Sequence, residues 1–212
     1  MKKLTAIITL ASAVLLAAAC TDKGLGSVGS ETGSISVLMT DAPFAFADVK
    51  SVDVFVVRID GKTAESDETE SANESDMGGW TTLVSPNASI NLLSLTNGKT
   101  ANLGQATLPA GTYRGFRLII DADKSSVTLA DGSKAIVKWP GSGKNGIKIN
   151  LDEPVVIGPS SPNLLLDFDV GRSFVMRGNS ISKNGLLFKP VIRATTQQST
   201  GTVSGSVRGE SA

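Results

Sequence analysis

The chain has 212 residues, with 20 basic and 20 acidic side chains, one cysteine and no histidine. Without histidine there is no Ser-His-Asp triad, no Cys-His dyad and no imidazole zinc site, so any catalysis must rest on carboxylates, Lys or Tyr. The balanced charge gives no bulk attraction for nucleic acid or for an anionic lipid face.

The N-terminus has the layout of an export signal. Lys2 and Lys3 precede an uncharged run, Leu4 to Ala19, that ends in Ala17-Ala18-Ala19 directly before Cys20. That run is short for a helix that must cross ~30 Å of hydrocarbon at ~1.5 Å per residue. LLAAAC (15–20) resembles the lipobox of bacterial lipoproteins, although Ala17 stands where Leu is usual. Cys20 is the only cysteine, so no intramolecular disulfide competes for it. The expectation is cleavage after residue 19, a covalent diacylglycerol and acyl lipid on Cys20, and a membrane anchor of more than one acyl chain, which is stable by itself. No other cofactor is expected. Thr21 in place of Asp directs such a protein to the outer membrane under the sorting rule of enteric bacteria, in a periplasmic or surface-facing orientation. Once Lys2 and Lys3 are removed, 18 basic residues face 20 acidic ones, a net charge of −2.

Residues 20–33 then read as the lipidated cysteine and a small, polar, glycine-rich tether. From residue 34 the pattern is β. In SISVLM (34–39), Ile35, Val37 and Met39 share a face. In VKSVDVFVVRI (49–59), Val52, Val54 and Val56 share one face, with Phe55, Val57 and Ile59 on the other, as in a strand covered on both sides. The run 63–79 carries Glu65, Asp67, Glu68, Glu70, Glu74 and Asp76 without a base and reads as a solvated hairpin loop.

Further strands are expected at WTTLV (80–84), SINLLSL (89–95), TYRGFRLIID (112–121), SVTLA (126–130), KAIVKW (134–139), IKINL (147–151), PVVIG (154–158), NLLLDFDV (163–170), SFVMRG (173–178) and GLLFKPVIRA (185–194). Turn residues separate them every 8–12 positions, and no segment after the signal peptide sustains a helical period. The fold class is therefore all-β, an antiparallel sandwich or barrel over residues 34–195 with no substantial helix. In the tail, residues 196–212, the stretch GTVSGSVRGESA (201–212) alternates small β-formers and glycine, as an added edge strand or the truncated start of a further β module.

Three patterns bear on chemistry. PGSGKNG (140–146) lacks the first glycine and the Ser or Thr of a phosphate loop, and reads as a glycine-rich turn. Ser180 and Lys183 have the S-x-x-K spacing of penicillin-binding enzymes without its partner motifs, which makes chance the better account. Asp167 and Asp169 point to one face of LLLDFDV, and with Asp121 or Asp123 they form a speculative carboxylate or Ca²⁺ cluster. Pairing with Arg117, Arg172 or Arg193 is the structural alternative. No catalytic residue and no metal ligand stands above that alternative. Trp80, Trp139 and Tyr113 are the only candidate aromatic platforms for sugar.

The ordered set TDAP (40–43), W-x-x-L (80–83), NLLSL (91–95), LPAGTYRGFRLII (108–120), SGKNGIKI (142–149), LLLDFDV (164–170) and LFKPVIRA (187–194) resembles the bacterial and archaeal domain of unknown function 4382, usually found in lipoproteins. The resemblance spans about residues 33–195. It implies a prealbumin-like or immunoglobulin-like Greek-key β-sandwich outside the cytoplasm, and it brings no activity and no catalytic residue. The functional expectation is a non-enzymatic, envelope-anchored module that binds or scaffolds an envelope protein or polysaccharide, with the membrane as partner through its lipid and no nucleic acid. The alternatives are a carboxylate hydrolase acting on polysaccharide and a calcium-stabilised adhesin-like module.

Overall fold

A computed structural model describes residues 31–41, 47–64, 79–139, 146–151, 153–159 and 163–197. The expected export signal and tether up to residue 30, with Cys20, the acidic stretch 65–78, the expected glycine-rich turn at 140–145 and the tail beyond Gln197 lie outside the described residues. Among the described residues, no helix is long and apolar enough to cross a membrane.

The elements follow in chain order: β1 (Thr32–Asp41), β2 (Val49–Thr63), β3 (Trp80–Val84), β4 (Ala88–Asn91), a 3-10 turn (Leu92–Leu95), β5 (Ala101–Pro109), β6 (Gly111–Leu129), β7 (Val137–Lys138), β8 (Ile147–Leu151), β9 (Val155–Ile157), β10 (Asn163–Phe168), α1 (Val170–Ser173), β11 (Phe174–Met176), α2 (Ile181–Asn184), β12 (Leu186–Phe188) and β13 (Ile192–Gln197). The main strand path runs β3-β2-β6-β8-β13-β10-β1-β5, with β4 also on β2 and β9 on β6. A separate sheet has the order β11-β12-β7.

The path folds over one core. Val37, Met39, Leu164, Leu166 and Ile192 from the β1-β10-β13 side join Val52, Val54, Val56, Ile59, Phe116, Leu118 and Ile120 from the β2-β6 side in a single buried cluster. Strand β8 pairs with β6 on one flank and β13 on the other, so the two halves are continuous there. At the opposite margin Gly104 of β5 lies against β3, where an added Cβ would stand 3.3 Å from Val84 Cγ1. The fold is the expected all-β sandwich. Its long pairings are antiparallel, whereas β1–β10, β13–β8 and β12–β7 are parallel, joining segments far apart in sequence.

Four local readings are corrected. Ile59 does not face away from Val56: the register slips between Val56 and Arg58, and the extra residue of the bulge returns Ile59 to the core, fully buried. SINLLSL is not one strand. It breaks at Asn91, whose side chain accepts from Leu93 N at 3.2 Å and starts the 3-10 turn that buries Leu92 and Leu95. NLLLDFDV ends as a strand at Phe168, because Asp169 caps α1 by accepting from Arg172 N at 2.9 Å. GLLFKPVIRA divides at Pro190, which has no N–H to give a ladder, into β12 and β13.

Candidate functional site

The signature residues of the first strand and of LLLDFDV are brought together by the parallel β1–β10 pair, with Thr40 opposite Asp167 and Asp41 opposite Phe168. The Thr40 hydroxyl lies 3.2 Å from the carbonyl oxygen of Leu95 and 3.1 Å from that of Lys99 and shares its one hydrogen between them, tying β1 to the turn before β5. Asp41 is buried, and its Oδ1 accepts from Val170 N at 3.0 Å at the start of α1. One residue before Val170, Asp169 caps the same helix and lies 3.9 Å from Arg172 Nε. Asp167 is half-buried and in register with Arg193 of β13. Burial lifts its carboxyl above the ordinary value of 3.8, the neighbouring Asp169 charge adds to that, and Arg193 opposes it.

Asp121 and Asp123 stand elsewhere, on β6, which β8 and β13 separate from β10. Asp121 accepts from the backbone N–H of Asp123 at 3.0 Å and forms an ion pair with Lys124 Nζ at 3.1 Å. The hydrogen bond from the Lys124 side chain is the main reason its carboxyl lies below the ordinary range. The structure therefore does not unite Asp121 or Asp123 with Asp167 and Asp169. Among the described residues no group of three or more His, Cys, Asp or Glu side chains is placed to hold a metal ion.

A different carboxylate occupies the arginine named above. Asp60 of β2 is fully buried on the sheet face that points away from the main core. Its oxygens accept from Arg117 Nε at 2.9 Å, Arg58 Nε at 3.1 Å and Thr82 Oγ1 at 3.0 Å. Trp80 lies across this row, with the Arg117 guanidinium 4.6 Å from its ring centroid and Gly115 beneath it. A carboxylate this enclosed persists because it is paired on several sides. The arrangement is a structural ion network. Tyr113 is also structural: it is buried, donates to the Pro109 carbonyl at 3.2 Å, and burial raises its phenol above 10.0.

The three-stranded sheet presents a second surface. Its inner side packs Phe174, Leu186 and Phe188 into the core, with the Trp139 ring 4.7 Å from that of Phe188 and 5.7 Å from that of Phe174. Its outer side has Val175, Leu187 and Lys138 in one cross-strand row. Ile136 is 64% exposed and Val175 43%. Beside this face Arg172, Val175, Phe188, Lys189, Pro190 and Val191 line a cleft of about 480 Å³.

Residues 32–190 match the family described as Domain of unknown function (DUF4382). The chain belongs to the DUF4382 family. No curated protein and no solved structure matches it.

The DUF4382 motifs have structural occupations in this chain. Thr40 and Asp41 tie strand ends, Asn91 starts the 3-10 turn, Tyr113 closes onto Pro109, and Trp80 covers Arg117. The S-x-x-K spacing has a local cause as well, because Ser180 caps α2 and its Oγ accepts from Lys183 N at 3.4 Å. Two features escape a strand-by-strand reading. Asp60 carried a signal, a lone carboxylate inside the apolar VFVVRID with Arg58 two positions before it. The outer face of the small sheet carried a weaker one, since its three strands are only two or three residues long.

Proposed function

We propose that this DUF4382 protein is an envelope-anchored lipoprotein, held by acyl lipid on Cys20, whose β-sandwich is a non-catalytic binding or scaffolding module. The observation that carries the binding half is the outer face of the β11-β12-β7 sheet. Aliphatic side chains gathered on one aromatic-backed face form the kind of exposed patch that serves as a contact surface. The anchoring half rests on the LLAAAC sequence before the mature chain. An outer-membrane address, with the domain facing the periplasm or the surface, completes the reading.

Cys20→Ser is the direct test. Wild-type protein is expected to incorporate a labelled fatty acid and to sediment with outer membranes, and the serine variant to do neither. A wild-type chain that stays unlabelled and soluble would overturn the anchor.

A carboxylate hydrolase is the second reading, favoured by the raised Asp167 carboxyl. It is the weaker one because Asp169 is engaged in capping α1, and Asp167 stands on a sheet face between Thr40 and Arg193.

A further inference from the structure

We infer that the outer face of the β11-β12-β7 sheet docks a protein segment in which acidic side chains alternate with aliphatic ones. The inference rests on the envelope-anchor reading for its cellular setting, and on the outward side chains of this sheet for its chemistry.

Side chains alternate across a strand, so the residues facing outward can be read from the ladder. Val175, Leu187 and Lys138 share a row. The ladder continues past the strand ends, where Arg177 N donates to Gly185 O at 3.0 Å and Lys189 N to Ser173 O at 2.7 Å. Alternation then adds Arg177, Lys189 and Ile136 to the same side. Three aliphatic and three cationic side chains are thus interleaved on one face.

The charge of this region differs from that of the chain. Segments 133–139 and 170–191 contain Lys134, Lys138, Arg172, Arg177, Lys183 and Lys189 and no acidic residue, in a protein whose formal charge is zero. All six are exposed. Of the acids that border the region, Asp169 lies against Arg172, while Asp48 and Asp131 line a separate cleft beside Met176. Excess positive charge around an apolar patch selects a partner of opposite charge and speeds its encounter.

Surface chemistry narrows the occupant. Sugar polymers are gripped by exposed aromatic rings, whereas this face offers aliphatic side chains, with Trp139 turned inward onto Phe174 and Phe188. A protein segment satisfies both the aliphatic and the cationic positions. The aromatic backing holds the face in one shape, which lowers the ordering cost of binding.

The test uses the full-length lipoprotein in its own cells, with a photo-crosslinking side chain at Val175 or Leu187 and, as control, at Thr195 on β13. Adducts to one protein are expected from the first two sites and not from the third, mapping to a segment that carries Asp or Glu among aliphatic residues. The triple variant Lys138→Glu, Arg177→Glu, Lys189→Glu is expected to lose at least tenfold in adduct yield. It should also lose tenfold in affinity for a synthetic peptide of the mapped segment. Its melting temperature should stay near wild type, and Lys138→Ala provides a milder step in the same direction. The inference is overturned by no adduct, by an adduct that survives charge reversal, or by a mapped segment without acids. Charge-dependent binding of phosphatidylglycerol vesicles or alginate without any protein adduct overturns it too. Fatty-acid labelling of the same cells separates the two failures: a labelled chain without adduct sinks only the docking face, and an adduct on an unlabelled chain sinks only the anchor.

Discussion

Asp167 is held between opposing influences, and the sign of the balance sets a pH dependence. Burial and the Asp169 charge raise its carboxyl above 3.8, against the attraction of Arg193. A carboxyl raised in the folded state binds its proton more tightly there than in the unfolded chain. Folding is therefore penalised once the pH is high enough to ionise it, and the penalty disappears when both states are protonated below about pH 3.8. Asp167→Asn removes the ionisation and keeps the shape. It is expected to raise stability at pH 7 by less than about 1 kcal/mol, since the group is partly solvated and also loses its attraction to Arg193. The gain should shrink as the pH falls from the raised value toward 3.8, and thermal melts of both chains across pH 7 to pH 3 would show it. A variant less stable than wild type at pH 7 would mean that the Arg193 pairing outweighs burial. Asp121 has the opposite sign: its depressed carboxyl favours folding above about pH 3.8, and that contribution fades as the pH falls through the lowered value.

At the scale of the element, the small sheet is held together at Gly185, where β12 meets β7. This residue ends α2 with φ +72°, and an added Cβ would collide with the carbonyl oxygen of Ile136. That carbonyl accepts from Leu186 N at 2.8 Å, the bond that starts the β12–β7 pairing. Gly185→Ala should therefore cost at least about 2 kcal/mol, from left-handed backbone strain plus the broken approach. Gly132→Ala is the control: its φ is +85° but nothing lies within 4 Å of an added Cβ, so strain alone should cost about 1 kcal/mol. Urea denaturation of the two variants compares them directly, and equal losses would remove the collision from the account. The same region shows what pattern reading reaches. Strand positions with strict alternation, such as Ile35, Val37 and Met39, were legible because burial repeats every second residue. Ile59 was not, because one extra residue in β2 reverses the alternation and leaves no mark in composition. Ser180 shows why spacing alone is a weak signal, since a capping serine three residues before a lysine has the same spacing as a catalytic pair.

For the whole molecule, the sandwich class was legible from strand number and spacing, whereas the order of strands was not. Placing β1 beside β10 joins segments more than a hundred residues apart, and the contact of Asp41 with the Val170 amide closes the end of that pair. Local pattern carries no record of such pairings. The consequence for stability follows from the core. Phe174, Ile181, Leu186 and Phe188 beneath the small sheet belong to the same buried cluster as Val52, Val54, Phe116 and Leu164. A face backed by the main core cannot detach without opening that core, so the small sheet should unfold with the sandwich in one cooperative transition. The two tryptophans allow the check: Trp139 reports on the small sheet, and Trp80 on the β2-β3-β6 side. In the single-tryptophan variants Trp80→Phe and Trp139→Phe, each emission change in urea should fall at the same midpoint as that variant's loss of β circular dichroism. An earlier midpoint for Trp139 would make the small sheet a separate unit, and its exposed face would then be a loosely held surface in place of a preformed one.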